Sequence, residues 1–296
     1  MNKSTRRSRD LQELTSRKTP SSLTRLTLGL CAAAGLWLVP QGVLAQGRLD
    51  AQYEATLAGI PVGKGTWTIE IGDDMFAATA QGGTAGLLKA FSGGSGSGAS
   101  VGRIVNGAMV PNAYTATTTT QKKSETIRIS LANGGVKEFS IDPAPPVDPD
   151  RVVVTEAHRK GVLDPMTGSM VRVPGNGEVM TPDACRTGTG IFDGRMRYDL
   201  KLDYKRMETV KAERGYHGPA IVCAIYFTPL AGYIPDRPVI KYLAAERKME
   251  VTLVPITGTR VLVPFRMTIP TPLGLAMLEA TSFVSTATPP RVAKTN

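Results

Sequence analysis

Histidine is nearly absent from this chain, cysteine is rare and aromatic residues are few. Of 296 residues two are His and three are Cys, and Phe, Trp and Tyr together make 6%. His158 and His217 each lack a second His, Cys or carboxylate at ligand spacing, so no metal site is expected. No C-x-x-C occurs, which removes thiol redox chemistry and cysteine metal binding from consideration. No block of Lys or Arg interleaved with aromatics is present, so the net charge of +10 does not point to nucleic acid. The apolar run Leu26 to Val39 is shorter than a membrane span needs and is rich in Ala and Gly. No cofactor is expected from any motif.

What is there begins with an export pattern. Lys3, Arg6, Arg7, Arg9, Arg17, Lys18 and Arg25 precede the apolar run, Pro40 and Gly42 end it, and Val43-Leu44-Ala45 offers a small residue. The pattern predicts a Sec-type signal peptide over residues 1–45, cleaved after Ala45, and a periplasmic location. Arg6-Arg7 lies too far from the run for a twin-arginine signal, and Cys31 sits inside the run behind bulky Leu30, where a lipoprotein cysteine does not stand. The segment holds seven of the 35 basic and two of the 25 acidic residues, which leaves 28 against 23, a net of +5. That excess is spread along strands and allows at most peripheral attraction to an anionic surface.

Beyond Ala45 only Cys185 and Cys223 remain. A lone pair in an exported chain reads as one disulfide. Closing that loop stabilises by ~3–4 kcal/mol on the chain-entropy model.

Residues 46–296 read as a single β-rich domain. Arg197, Asp199, Lys201, Asp203 and Lys205 alternate with Tyr198, Leu200, Leu202 and Tyr204, which predicts a strand with one wet and one buried face. The expectation is that the fold is organised around this strand and the Cys185–Cys223 clasp. Leu49 to Leu57, Gly65 to Ile71 and Met75 to Gln81 alternate likewise and suggest a meander, with Gly59 to Gly63 as a turn. Further strands are expected at Ala99 to Val105, Tyr114 to Thr120, Glu125 to Leu131, Val136 to Ile141, Arg151 to Thr155, Ala220 to Phe227, Lys248 to Val254, Arg260 to Ile269 and Ala276 to Val284. Gly82 to Gly98 is either a sharply bent strand or a flexible loop. Residues 143–149, PAPPVDP, form an extended connection, and 286–296 a loose tail. Asp164 before Pro165 and Pro238 after Asp236 signal short helices, the second over Val239 to Arg247. So many strands tend to curl. The expected fold is mainly β, a strongly curved antiparallel sheet or partly closed β-barrel with two or three short helices.

Gly98-Ala99-Ser100-Val101-Gly102 matches G-x-S-x-G, but a nucleophile elbow needs a helix after the turn and here a strand follows. No catalytic residue is assigned, and a hydrolase is the least favoured reading. Asp193 and Arg195 flank Gly194 and form either an ordinary Asx turn with a surface ion pair or a polar cluster at a cavity rim. Leu87, Leu88 and Phe91 form a short amphipathic piece that could serve as a lid.

Several stretches resemble an exported bacterial family known as domain-of-unknown-function 3108. They are YEATLAGIPVGKG (Tyr53 to Gly65), the Asp164-Pro165-Met166 region, and FDGRMRYDLKL (Phe192 to Leu202). IKYLAAERKMEV and GTRVLVPFRMTIPTPLG are similar to its alphaproteobacterial branch. The resemblance implies an envelope location and a β-rich fold, and carries no catalytic residues. The functional expectation is a carrier of an apolar or amphiphilic ligand, with Leu87, Leu88, Phe91, Asp193 and Arg195 as candidate binding residues. The alternative is an interaction protein of the envelope that binds another envelope protein and no small ligand. Oligomeric state is not predicted.

Overall fold

A computed structural model describes residues 46–86 and 93–287. The predicted signal segment, Leu87, Leu88 and Phe91 therefore lie outside the described residues, as does the tail beyond Ala287.

The described chain is one sheet, antiparallel except where Arg214 and Gly215 pair in parallel with Ser282 and Phe283. Its first half is a meander of β1 (Gly47–Leu57), β2 (Ile60–Ile71), β3 (Met75–Thr84), β4 (Ser95–Val105), β5 (Ala108–Thr119), β6 (Ser124–Ala132) and β7 (Gly135–Asp142). Then come the two-residue β8 (Val171–Arg172), β9 (Gly188–Phe192), β10 (Arg197–Lys211), the short β11 (Arg214–Gly215) and β12 (His217–Ala231). β13 (Glu250–Pro255), β14 (Val261–Thr271) and β15 (Gly274–Ala287) complete the sheet. The strand order is β7-β6-β5-β4-β3-β2-β1-β15-β14-β13-β12-β10-β9, so β15 returns to pair with β1 and joins the two halves. Among the described residues helical structure is confined to two 3-10 turns, the single turn Pro165–Gly168 and the helix Pro238–Ala245.

This ladder does not close, because β7 and β9 stand at its two edges. Residues 160–163 run between those edges instead. Gly161 donates its amide to the Gly134 carbonyl at 2.8 Å, and Leu163 donates to Gly190 at 2.8 Å and accepts from Phe192 at 3.0 Å. Phe139 of β7 meets Phe192 of β9 edge-on with ring centroids 5.2 Å apart. Ile129, Leu131 and Val162 pack around this seam. Both exposed edges, a standing hazard for aggregation, are thereby partly covered.

The inner face of β1, β2, β3, β14 and β15 builds the main core from Leu49, Ile69, Phe76, Phe265 and Phe283. The outer face of β12 to β14 is buried too. Ile221, Cys223, Val251, Leu253 and Leu262 pack there under Val173, Ala184 and Cys185 of the preceding loop, with Leu243 of the helix against them. Two-sided burial explains the unbroken run AIVCAI at Ala220 to Ile225, since alternation is needed only where one face meets water. The Cys185–Cys223 disulfide, Cα atoms 5.6 Å apart, fastens that loop to the outer face.

Several expectations need correction. β10 is not the centre of the sheet but second from its edge, because β9 (unforeseen from the sequence) and β12 flank it. Its alternation breaks at Lys205, where the register against β12 shifts between Tyr204 and Arg206. Such a bulge reverses which way the side chains point: Leu202 before it packs on the outer face, whereas Val210 after it packs in the main core, and Tyr204 at the break is 40% exposed. The first turn is Ala58–Gly59, and Pro61 and Val62 already belong to β2. Gly82 to Gly98 is strand at both ends, with Gly82 opposite Gly96 and Gly83 opposite Ser95. Residues 151–155 are not a strand, although Val152 exchanges two hydrogen bonds with residues 232 and 233. β15 runs to Ala287, past the predicted start of the tail. The helix ends at Ala245, short of Arg247.

Hairpin turns 58–59, 120–123 and 272–273 share one end of the sheet, the near end, with the 193–196 turn and the helix Pro238–Ala245. Turns 72–74, 106–107, 133–134 and 257–259 share the far end.

Candidate functional site

Inward positions along β2 to β5 are small. Cross-strand partners point the same way, and Gly65, Gly82 and Gly96 pair in one row. Trp67, Ala80, Gly98 and Ala116 pair in the next. A wall of glycine and alanine cannot fill a curved sheet's interior. The one-turn helix Pro165–Gly168 fills part of it, and a Cβ on Gly98 would stand 3.1 Å from the Met166 Cε. A cavity of about 370 Å³ remains. Tyr53, Trp67, Tyr114, Met166, Met267 and Leu278 dominate its lining, which is apolar. The Tyr53 hydroxyl donates to the Pro264 carbonyl at 2.7 Å and burial pushes its ionisation well up. Trp67 Nε1 is buried with no hydrogen-bond partner among the described residues. A larger hollow of about 530 Å³ lies on the outer face, lined by Gln52, Thr66, Gln81, Ser97 and Thr117. Its lining is about half polar, so it suits the apolar ligand expected from the sequence less well than the smaller cavity does.

Behind Met166 lies a fully buried polar cluster of Ser100, Asp164 and Thr167. Asp164 caps the helix turn, its Oδ1 accepting from the Met166 and Thr167 amides at 3.0 Å each. Its Oδ2 accepts from Thr167 Oγ1 at 2.6 Å and Ser100 Oγ at 3.0 Å. Every buried oxygen here has a partner, the condition for burying them without large cost. Burial raises the Asp164 pKa, and the hydrogen bonds to Thr167, Ser100 and Met166 only partly offset this. Ser100, the serine of the G-x-S-x-G match, thus sits mid-strand in β4 and ties the helix turn to the barrel wall. It occupies no strand-to-helix elbow.

Asp193 and Arg195 are half-buried at the near end. Asp193 Oδ1 accepts from the Arg195 amide at 2.8 Å and the Met196 amide at 2.7 Å, the expected Asx turn. The ion pair differs from expectation, because Arg195 reaches across the seam to Glu125 of β6 at 2.6 Å. Gly194 between them has φ of +93°, and a Cβ there would meet Ile127 Cγ2 at 2.5 Å. Only glycine permits both the turn and that approach. Burial raises the Asp193 pKa. Tyr114, on the cavity wall, is pushed up to about 12 by burial and by the charges of Asp164 and Asp193. Tyr198 is raised by burial and by Asp193 as well. The charge of Asp193 thus acts on Tyr114 of the cavity wall, although neither Asp193 nor Arg195 lines the cavity itself.

Sequence reasoning missed Tyr53, Trp67, Tyr114, Met166, Met267 and Leu278 as cavity residues. A signal was present in the spacing of Gly65, Ala80, Gly82, Gly96 and Gly98, small residues at inward positions opposite a lone Trp.

Sheet, seam and the cavity on the sheet's inner face define an open, barrel-like antiparallel β fold. The chain belongs to the family described as "Protein of unknown function (DUF3108)", whose pattern matches residues 52–281. A crystal structure titled as a β-barrel-like protein of domain of unknown function DUF1849 from Brucella abortus matches over 83% of this chain and 99% of that one. The identity is 9% and the TM-score 0.42. No curated protein matches.

Proposed function

We propose that this is an exported, periplasmic protein that carries one apolar or amphiphilic ligand inside its rolled sheet. The observation that carries the reading is the cavity of about 370 Å³ walled by Tyr53, Trp67, Tyr114, Met166, Met267 and Leu278. That size and lining fall within the range of small-molecule sites, which are concave and mostly apolar. The Arg195–Glu125 pair and the Asp193 turn lie at the seam, outside the cavity lining, and are the proposed contacts for a polar headgroup. Leu87, Leu88 and Phe91, in the β3–β4 connection, are the proposed lid. The disulfide between Cys185 and Cys223 supports an oxidising compartment, and cleavage after Ala45 completes the export reading. Among the described residues no helix is long and apolar enough to cross a membrane.

Native mass spectrometry of the protein recovered from cells, followed by organic extraction, tests both parts. A stoichiometric amphiphile and an N-terminus at Gln46 are the expected results. A clean polypeptide mass with no extractable molecule removes the carrier reading. The competing reading, an envelope interaction protein without a small ligand, is favoured by the exposed apolar side chains Ile60, Leu273 and Val239.

A further inference from the structure

The cavity walled by Tyr53, Trp67, Tyr114, Met166, Met267 and Leu278 holds a one-sided set of hydrogen-bonding groups. None of its lining residues is charged. The Tyr53 hydroxyl is committed to the Pro264 carbonyl at 2.7 Å, and the Ser169 hydroxyl to the Pro165 carbonyl at 2.8 Å. Those bonds also occupy both proline carbonyls of the wall. Thr66 alternates to the opposite face, in register with Gln52 and Gln81, and is exposed. What is left is Trp67 Nε1 and the Tyr114 hydroxyl. The indole N–H is a donor only; it is buried and has no partner among the described residues. The Tyr114 hydroxyl likewise makes no hydrogen bond among the described residues, and burial keeps its proton on. A buried donor left unpaired costs more than a made hydrogen bond gains. Both groups therefore favour a ligand that brings an acceptor.

Charge decides which acceptor. The ionisable groups that act on Tyr114 are Asp164 and Asp193, both acidic. Arg195 is already held by Glu125 and does not line the cavity. A carboxylate or phosphate at Tyr114 would lose its water, meet like charge and find no counter-ion. The carbonyl oxygen of an ester or ketone accepts a hydrogen bond without that cost. We propose that the cavity takes an uncharged apolar molecule bearing a carbonyl oxygen, which accepts from Tyr114 and Trp67, and that it excludes free fatty acids. The proposal rests on the carrier reading and narrows it to a ligand whose portion inside the sheet is neutral. Met166 and Met267 line the same wall, and their flexible thioethers can shift to let the oxygen reach Trp67 Nε1.

Three probes of matched chain length test it: methyl laurate, laurate and dodecane. The chain has two tryptophans, Trp37 in the predicted signal segment and Trp67. In the processed protein Trp67 fluorescence therefore reports on this cavity alone. Protein purified as cells finish it and stripped of bound material is titrated with each probe near neutral pH. Methyl laurate is expected to bind roughly fivefold more tightly than dodecane, the worth of one hydrogen bond. Laurate is expected to bind at least about tenfold more weakly than the ester, because its charge must be desolvated. Tyr114→Phe keeps the ring and removes the hydroxyl. It is expected to abolish the ester's advantage while dodecane binds as before, with circular dichroism to establish that the variant is folded. The order of the three probes on wild type tests the proposal even if that variant does not fold. Laurate binding as tightly as the ester, ester and dodecane binding alike, or a folded Tyr114→Phe protein that keeps the ester's advantage each overturns this inference and leaves the carrier reading standing. If none of the three binds, the carrier reading falls and this inference with it.

Discussion

β2 to β5 and β12 to β14 share one hydrogen-bonded ladder yet are filled in opposite ways. The first group turns glycine, alanine and a single tryptophan inward and leaves space. Its outer face is threonine, serine and glutamine in contact with water. The second group buries both faces, with Phe265 on one and Cys223, Val251 and Leu253 on the other. A covering loop and a disulfide hold that second layer down. The difference teaches where rigidity and room are placed. Close packing on two sides gives one half a fixed shape, and against it the small-residue half can enclose a cavity without collapsing.

The comparison breaks most easily in the two-sided half. Phe265→Ala removes a fully buried ring that stacks on Phe283 at 5.9 Å and Tyr216 at 6.4 Å. Urea unfolding is expected to show a loss of about 3–5 kcal/mol. Replacing Cys185 and Cys223 together by serine frees the covering loop and should cost about 3–4 kcal/mol, read the same way.

Asp164 joins the two halves' logic, since it fastens a plug into the roomy side. Asp164→Ala takes away the helix cap and leaves the Ser100 and Thr167 hydroxyls without their shared carboxylate. A loss of about 3 kcal/mol is expected. Asp164→Asn keeps the shape and removes the charge. The unfolded chain gives up the Asp164 proton near the ordinary value of 3.8, and the folded protein only at higher pH. That group therefore opposes folding increasingly as pH rises above the ordinary carboxylate range, and its effect vanishes below it. Urea midpoints measured at about pH 4.5 and 7.5 should fall less for Asp164→Asn than for wild type. An equal fall in both would place the pH response elsewhere.

The smallest change in stability is expected at Ala80, on the cavity wall. Ala80→Leu adds apolar volume where there is room, so stability should move by less than about 1 kcal/mol. Retention of an extractable ligand should drop sharply, while the same substitution at a two-sided position such as Ala220 would instead unfold the protein.

Much of this architecture was legible in order along the chain. Alternation marked β1, β6 and the first part of β10, because one face of each strand meets water there. Asn133-Gly134 marked its hairpin, since both residues need positive φ, and they have it at +54° and +73°. Asp164 before Pro165 marked a cap. What failed to show were features without a local period. β9 is too short for a pattern, the bulge at Lys205 interrupts one, and Tyr204 faces solvent on the wrong side of it. Of the candidate site, Asp193 was named but lies outside the cavity lining, whose wall is made by residues from six separate strands and the helix turn.

By itself the sequence determined the strands, most turns and the cysteine pairing, because each depends on neighbours within a few residues or on a pair with no rival. Only the tertiary structure decided how the edges are tied through residues 160–163, that Ser100 meets Asp164, and that Arg195 pairs with Glu125. Those contacts join residues 64 and 70 positions apart, or two sheet edges at opposite ends of the strand order. They exist only because the twisted sheet rolls until its ends meet, and no local pattern encodes that distance.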